Sequence, residues 1–227
     1  AVLDLRSAFS ESYRSVRTAL QFSTDQGVPK VLLVTSASPS EGKSTTALAL
    51  ARNFAQMGKR VLLIEADLRN PSLHKSLGIR AEIGLSNLLA GAHSITEAVQ
   101  DTEQTALKVI LAGPLPPNPA ELLSGSKLVS LLTIASEHYD QVIIDGPPVM
   151  GIADAPILAN AADGTLLVVH SGKTRITTAQ GAVKRLYSAR AHLIGSLLTQ
   201  YDSKAAGYGY NYEGYYAYGG APQLTKR

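Results

Sequence analysis

Gly42, Lys43, Ser44 and Thr45 stand together in this chain, and those residue types in that order suit phosphate chemistry. A glycine has no Cβ, so the backbone can approach a phosphate closely and the amides around it can point at the anion. The lysine ammonium supplies positive charge to the outer phosphates of a nucleotide, and the serine hydroxyl is a ligand for Mg²⁺. Ala37-Ser-Pro-Ser-Glu-Gly-Lys-Ser44 is a Walker A pattern with Ala37 in place of its first glycine. Ser40, Glu41, Gly42, Lys43, Ser44 and Thr45 form the candidate phosphate-binding set. Gly-Lys-Ser alone is a weak signal, because an ordinary glycine turn before a helix reads the same way. Its context strengthens it. The apolar run Val31-Leu-Leu-Val-Thr35 precedes it, and the helix-forming run from Thr46 to Met57 follows.

Two further segments place carboxylates just past apolar runs. Val61-Leu-Leu-Ile-Glu-Ala-Asp67-Leu-Arg69 is one, and Val142-Ile-Ile-Asp145-Gly-Pro-Pro148, of Walker B form, is the other. A carboxylate at the end of a buried strand is costly unless something pairs with it. Mg²⁺ on ATP phosphates is one such partner; a helix N-cap or turn amide is another. Three such strand ends, one carrying Gly-Lys-Ser, favour the nucleotide. Asp67 is the better candidate for a catalytic base, since it is flanked by Arg69 and not by a Pro-Pro turn. Arg69 either stabilises phosphoryl charge or holds Asp67. The candidate catalytic residues are therefore Lys43, Asp67, Arg69 and Asp145, and the candidate metal ligands are Ser44, Asp67 and Asp145.

Positioning these residues requires a sheet. Continuous apolar runs at 31–35, 61–66, 108–112, 141–145, 164–169 and 193–198 predict strands covered on both faces. Helical stretches at 44–57, 119–138, 154–161 and 176–190 separate them. This alternation predicts an α/β fold, a mostly parallel sheet with helices on both sides, which binds ligands at the carboxyl ends of its strands. Residues 8–23 read as a further helix with Phe9, Tyr13, Val16 and Leu20 on one apolar stripe. The expected division is a domain over 1–200 and a tail over 201–227. The tail holds Tyr201, Tyr208, Tyr210, Tyr212, Tyr215, Tyr216 and Tyr218 among glycines; its run from Gly207 to Gly220 has no aliphatic core former and reads as mobile. Tyr13, Tyr139 and Tyr187 fall in predicted elements and read as packing residues.

A formal charge of +3 is too small to argue for nucleic acid, and the absence of cysteine removes thiolate metal sites and nucleophiles. The apolar runs are too short to span a bilayer. No signal peptide is visible, and a start at Ala1 suggests an excised part of something longer. The histidines at 74, 93, 138, 170 and 192 show no metal-ligand spacing.

In order and spacing these motifs resemble the bacterial tyrosine kinases of polysaccharide export systems, over almost the whole chain. The matching segments are Glu11/Arg14/Arg17, Walker A at Ala37–Ser44, the acidic A′ motif at Val61–Arg69, Gly113–Leu123 as a Pro-rich loop, Walker B at Val142–Pro148, and the tyrosine cluster. The resemblance implies a P-loop NTPase scaffold on which ATP and Mg²⁺ support tyrosine phosphorylation. Lys43 and Ser44 bind phosphates and Mg²⁺, Asp67 aids Mg²⁺ and activates the phenol, and Asp145 holds Mg²⁺ through water. A neighbouring subunit's tail tyrosine is the acceptor. It also implies a ring, typically an octamer, joined through Glu11, Arg14 and Arg17. It further implies a transmembrane and periplasmic activator region in the same or another chain, a cognate phosphatase, and a cytoplasmic place at the inner membrane. On residues alone, Glu11 can pair with Arg14 and the helix face reads as a solvated one; the subunit contact is what the resemblance implies.

Some members carry a tyrosine soon after A′ and an arginine before the Pro-rich loop, a proposed gating pair. Here the first region reads Asn70-Pro-Ser-Leu-His-Lys and Ala112 precedes Gly113, so that switch is not expected. Two rivals stand beside the kinase reading. Partitioning or division-site ATPases of the deviant Walker A group usually have a lysine where this chain has Ser38, and lack a Tyr-rich tail. A low-turnover nucleotide-binding scaffold is the other.

Overall fold

A computed structural model of the chain describes residues 8–201. Its elements run α1 (Ala8–Gln21), β1 (Val31–Ser36), α2 (Lys43–Gln56), β2 (Val61–Glu65), α3 (Leu73–Leu77), α4 (Leu85–Ala90) and α5 (Ile95–Ala98). Then come β3 (Gln100–Asp101), β4 (Leu107–Ile110), α6 (Pro119–Ser124), α7 (Ser126–His138), β5 (Gln141–Asp145), α8 (Asp154–Ala161), β6 (Gly164–His170), α9 (Ile176–Ser188) and β7 (Leu193–Thr199). Tyr201 is the one clustered tyrosine among the described residues; the rest of the expected tail lies outside them.

The strands form one sheet in the order β3-β4-β2-β5-β1-β6-β7. All its pairings are parallel except β3 with β4. Every residue of β1, β2 and β5 is buried, which explains their continuous apolar runs. Side chains alternate across a strand, so Leu32 and Val34 join the core beneath α1 and α2, while Val31 and Leu33 join the core on the opposite face. Phe54 of α2, fully buried, anchors the first core. The α1 stripe behaves as its spacing predicts: Tyr13 and Leu20 are buried, and Phe9 and Val16 pack against them.

Several details differ from the sequence expectation. The stretch 119–138 is two helices, broken at Gly125 in an extended conformation (φ −72°, ψ 156°). The short helices α3, α4 and α5 and the two-residue strand β3 fill the long connection after β2. Tyr187 does not pack. It is 61% exposed, because Ala182 and Leu186 take the core side of α9 and the next position turns outward. Tyr13 is buried and Tyr139 packs against the core, as expected. No helix among the described residues is long and apolar enough to cross a membrane.

Candidate active site

The central strands β2, β5 and β1 lie side by side, and the segments leaving their carboxyl ends bring three sequence motifs together. After β1 the chain turns through the Walker A loop into α2. Gly42 precedes the helix at φ 93°, a left-handed conformation that favours glycine. The helix therefore begins at Lys43, with its first amides and positive dipole end facing the loop. The segment that follows β5 fastens the end of β1 and the first loop residue: Gly146 N–H donates to Val34 O (2.9 Å), Val149 N–H to Ser36 O (2.8 Å) and Met150 N–H to Ala37 O (3.2 Å), and the Thr35 hydroxyl donates to Pro147 O (2.6 Å).

Lys43 Nζ lies 2.8 Å from Asp67 Oδ2, and both side chains are largely buried. Lys43 also donates to Ser44 Oγ at 3.3 Å. The other oxygen of Asp67 accepts from Asn70 N–H at 3.0 Å. Asp145 is the third group and is in a different state. It is 1% exposed, and neither carboxylate oxygen has a hydrogen-bond partner among the described residues. Burial pushes its carboxyl up to about 7, against the pull of the Lys43 charge and of the nearby Ser44 hydroxyl, which does not reach hydrogen-bond geometry, and the negative neighbours Glu65 and Asp67 add to the rise. Two unpaired, buried carboxylate oxygens beside a phosphate loop suit a divalent cation, directly or through water. The donor set of Ser44, Asp67 and Asp145 is the oxygen-rich set that Mg²⁺ prefers.

Arg69 takes a partner that its sequence neighbourhood did not suggest. Its Nε and Nη2 donate to the two oxygens of Asp154 at 2.8 and 3.0 Å. Asp154 sits in the first turn of α8 with its side chain wholly buried. The pair ties the A′ segment to the segment that follows Walker B. Its hydrogen bond to Asp154 raises the guanidinium above its ordinary range. Ser40 and Thr45 are exposed at the loop, while Glu41 is buried and bonded to protein groups.

Glu65 was not among the candidate site residues read from the sequence. Wholly buried at the end of β2, it accepts from Ser72 and Leu73 N–H (2.6 Å each) through Oε1 and from Ala112 N–H (3.1 Å) through Oε2. It shapes both the A′ turn and the start of the Pro-rich loop. The acidic residue at the strand end was visible in the sequence; its partners, up to 47 residues away, were not.

Of the α1 residues, Glu11 and Arg14 pair at 2.7 Å, as their spacing predicted. Arg17 Nε is buried without a partner among the described residues. These three lie on a helix separate from the Lys43–Asp67–Asp145 group.

Sheet, loop and converging carboxylates define the class: an α/β protein of the P-loop nucleotide-binding type. The AAA domain family matches residues 30–189. The tyrosine-protein kinase YwqD of Bacillus subtilis is 44% identical over 211 residues, covering 92% of this chain and 89% of that one. The tyrosine-protein kinase Etk of Escherichia coli is 35% identical over 86% of this chain, which spans only 27% of Etk. The solved kinase domain of Etk superposes with a TM-score of 0.80 over 85% of this chain and 77% of that one. The cell division ATPase MinD of Pyrococcus furiosus, 22% identical over 75% of this chain and 72% of its own, has a TM-score of 0.65 and shares the fold alone. The chain belongs to the bacterial tyrosine kinases.

Proposed function

We propose that this chain transfers the γ-phosphoryl group of ATP, with Mg²⁺, to tyrosines of its own C-terminal cluster, presented by a neighbouring copy. The observation that carries this reading is the meeting of Lys43, Asp67 and Asp145 at three adjacent strand ends, with one carboxylate paired and one unpaired. Mg²⁺ held by Ser44, Asp67 and Asp145 would neutralise phosphate charge. Lys43 exchanges Asp67 for phosphate oxygens, and this frees Asp67 to accept the phenol proton. A phenol of pKa about 10 is protonated at neutral pH, so a nearby carboxylate assists its attack. The phenol oxygen forms the new bond to phosphorus, the bond to the β–γ bridging oxygen breaks, and ADP leaves. Arg69, held by Asp154, flanks the site and stabilises the charge that develops. Tyr201, 51% exposed just past β7, begins the acceptor cluster; Tyr208, Tyr210, Tyr212, Tyr215, Tyr216 and Tyr218 complete it.

On this reading the copies form a ring, an octamer by family likeness, through Glu11, Arg14 and Arg17 of α1. Phosphates add about −1.5 to −2 charges each at pH 7 and loosen the ring by repulsion. The wider role is regulation of exopolysaccharide or capsule export at the bacterial inner membrane, with an activator region and a cognate phosphatase as partners and no nucleic acid. The test is the intact mass of the purified chain after incubation with Mg²⁺–ATP, beside a Lys43→Met control. A ladder of phosphate additions mapping to Tyr201–Tyr218, absent in the control, supports the proposal. Hydrolysis with no mass gain moves it to a partitioning-type ATPase, and neither product moves it to a nucleotide-binding scaffold.

A further inference from the structure

Glu41 lies between two residues whose backbones are left-handed, Ser40 at φ 63° and Gly42 at φ 93°. Glycine adopts that conformation freely, but serine pays for its Cβ. The loop at Ser40 therefore needs support from outside. Glu41 receives it on both its side chain and its backbone. Its buried carboxylate accepts from Ser38 N–H at 3.0 Å and from the Thr174 hydroxyl at 2.5 Å. Its carbonyl accepts from the Thr199 hydroxyl at 2.7 Å. Thr174 stands in the turn between β6 and α9, where its oxygen also accepts from His170 N–H at 3.1 Å. Thr199 is the last residue of β7; its oxygen also lies within bonding reach of Val169 O (3.3 Å), and its carbonyl accepts from Ser171 N–H (3.0 Å). Its methyl group lies 3.5 Å from where a Cβ on Gly42 would sit.

We infer that Thr174 and Thr199 are positioning residues that clasp Glu41 and hold the phosphate loop in its nucleotide-binding shape. Glu41 then serves nucleotide binding through its backbone, with its side chain spent on the clasp. Thr199 stands two residues before Tyr201, so the loop is fastened to the point from which the tyrosine cluster departs. The inference rests on the nucleotide reading of the Walker A loop.

The test is titration of the whole chain with a fluorescent N-methylanthraniloyl-ADP plus Mg²⁺, beside thermal melting without nucleotide. Thr199→Val keeps the side-chain shape and removes the hydroxyl; Thr199→Ser keeps the hydroxyl. Thr199→Val is expected to bind about tenfold more weakly, on the order of one net hydrogen bond, with melting lowered by no more than the roughly 2–4 °C that one such bond accounts for. Thr199→Ser is expected to keep native affinity, and Thr174→Val to weaken binding as Thr199→Val does. Native affinity in both valine variants overturns the clasp, and so does an equal loss in Thr199→Ser. A loss of affinity accompanied by a fall in melting well beyond that of one hydrogen bond in both valine variants marks them as merely structural and overturns it too. Absence of binding by the native chain instead overturns the nucleotide reading, and the clasp with it.

Discussion

Replacing Asp145 by asparagine should stabilise the nucleotide-free chain, and more so as the pH rises. Burial raises this carboxyl from its ordinary 3.8 to about 7. Between those values the folded chain holds a proton that the unfolded chain releases, so stability falls as pH climbs through the window. The loss is complete above the folded value. A rise of about three units, at 1.36 kcal/mol each, sets a ceiling of about 4 kcal/mol. Asparagine has the same shape and never ionises. Urea denaturation in EDTA at pH 5, 6, 7 and 8 should show the variant gaining on the native chain with each step, by about 2–4 kcal/mol at pH 8. Saturating Mg²⁺–ADP should then stabilise the native chain strongly and the variant little, because the cation offsets the charge that asparagine lacks. A native-minus-variant difference that is flat with pH, or a variant less stable than the native chain at pH 8, would refute the reasoning.

Lys43→Met should abolish phosphotyrosine formation in an anti-phosphotyrosine blot, and should also cost about 3 kcal/mol in urea because Asp67 is left buried without its cation. Tyr13→Phe removes the 3.0 Å bond between the phenol and Thr46 Oγ1 that joins α1 to α2; chemical denaturation should register a loss of about 1 kcal/mol. Gly42→Ala forces a Cβ into φ 93°; isothermal titration with Mg²⁺–ADP should show affinity reduced by about tenfold or more.

The inner strands were legible because both faces of the sheet are covered there; β7, read from 193–198 as equally covered, is instead half exposed at the sheet edge. The runs 31–35, 61–66 and 141–145 each match a strand to within a residue, since every position in β1, β2 and β5 is buried and apolar residues need not alternate. The helices α3 to α5 span only 4–6 residues each, too few to establish a helical period, so the connection after β2 was not readable. Asp67 and Asp145 could be read because they stand at or just past the ends of apolar runs, and Lys43 because it follows Gly42 in the Walker A pattern. The Glu41–Thr174 and Arg69–Asp154 bonds could not, because they join residues 133 and 85 positions apart and depend on the strand order. Tyr187 was misread because a tyrosine inside a helix suggests packing, and only the orientation of α9 on the sheet shows which face it occupies.

The central place of β1 governs how the molecule exchanges hydrogen with solvent. It is bonded on one edge to β5 and on the other to β6, with a separate apolar layer above and below. No local fraying can free its amides without parting the sheet, so in deuterated water they should be among the last to exchange, at a rate set by global opening. The amides of β7, which is half exposed and paired with β6, should label far sooner. The phosphate loop thus hangs between one of the slowest-exchanging strands of the molecule and one of its faster ones, rigid at its root and yielding at its far support.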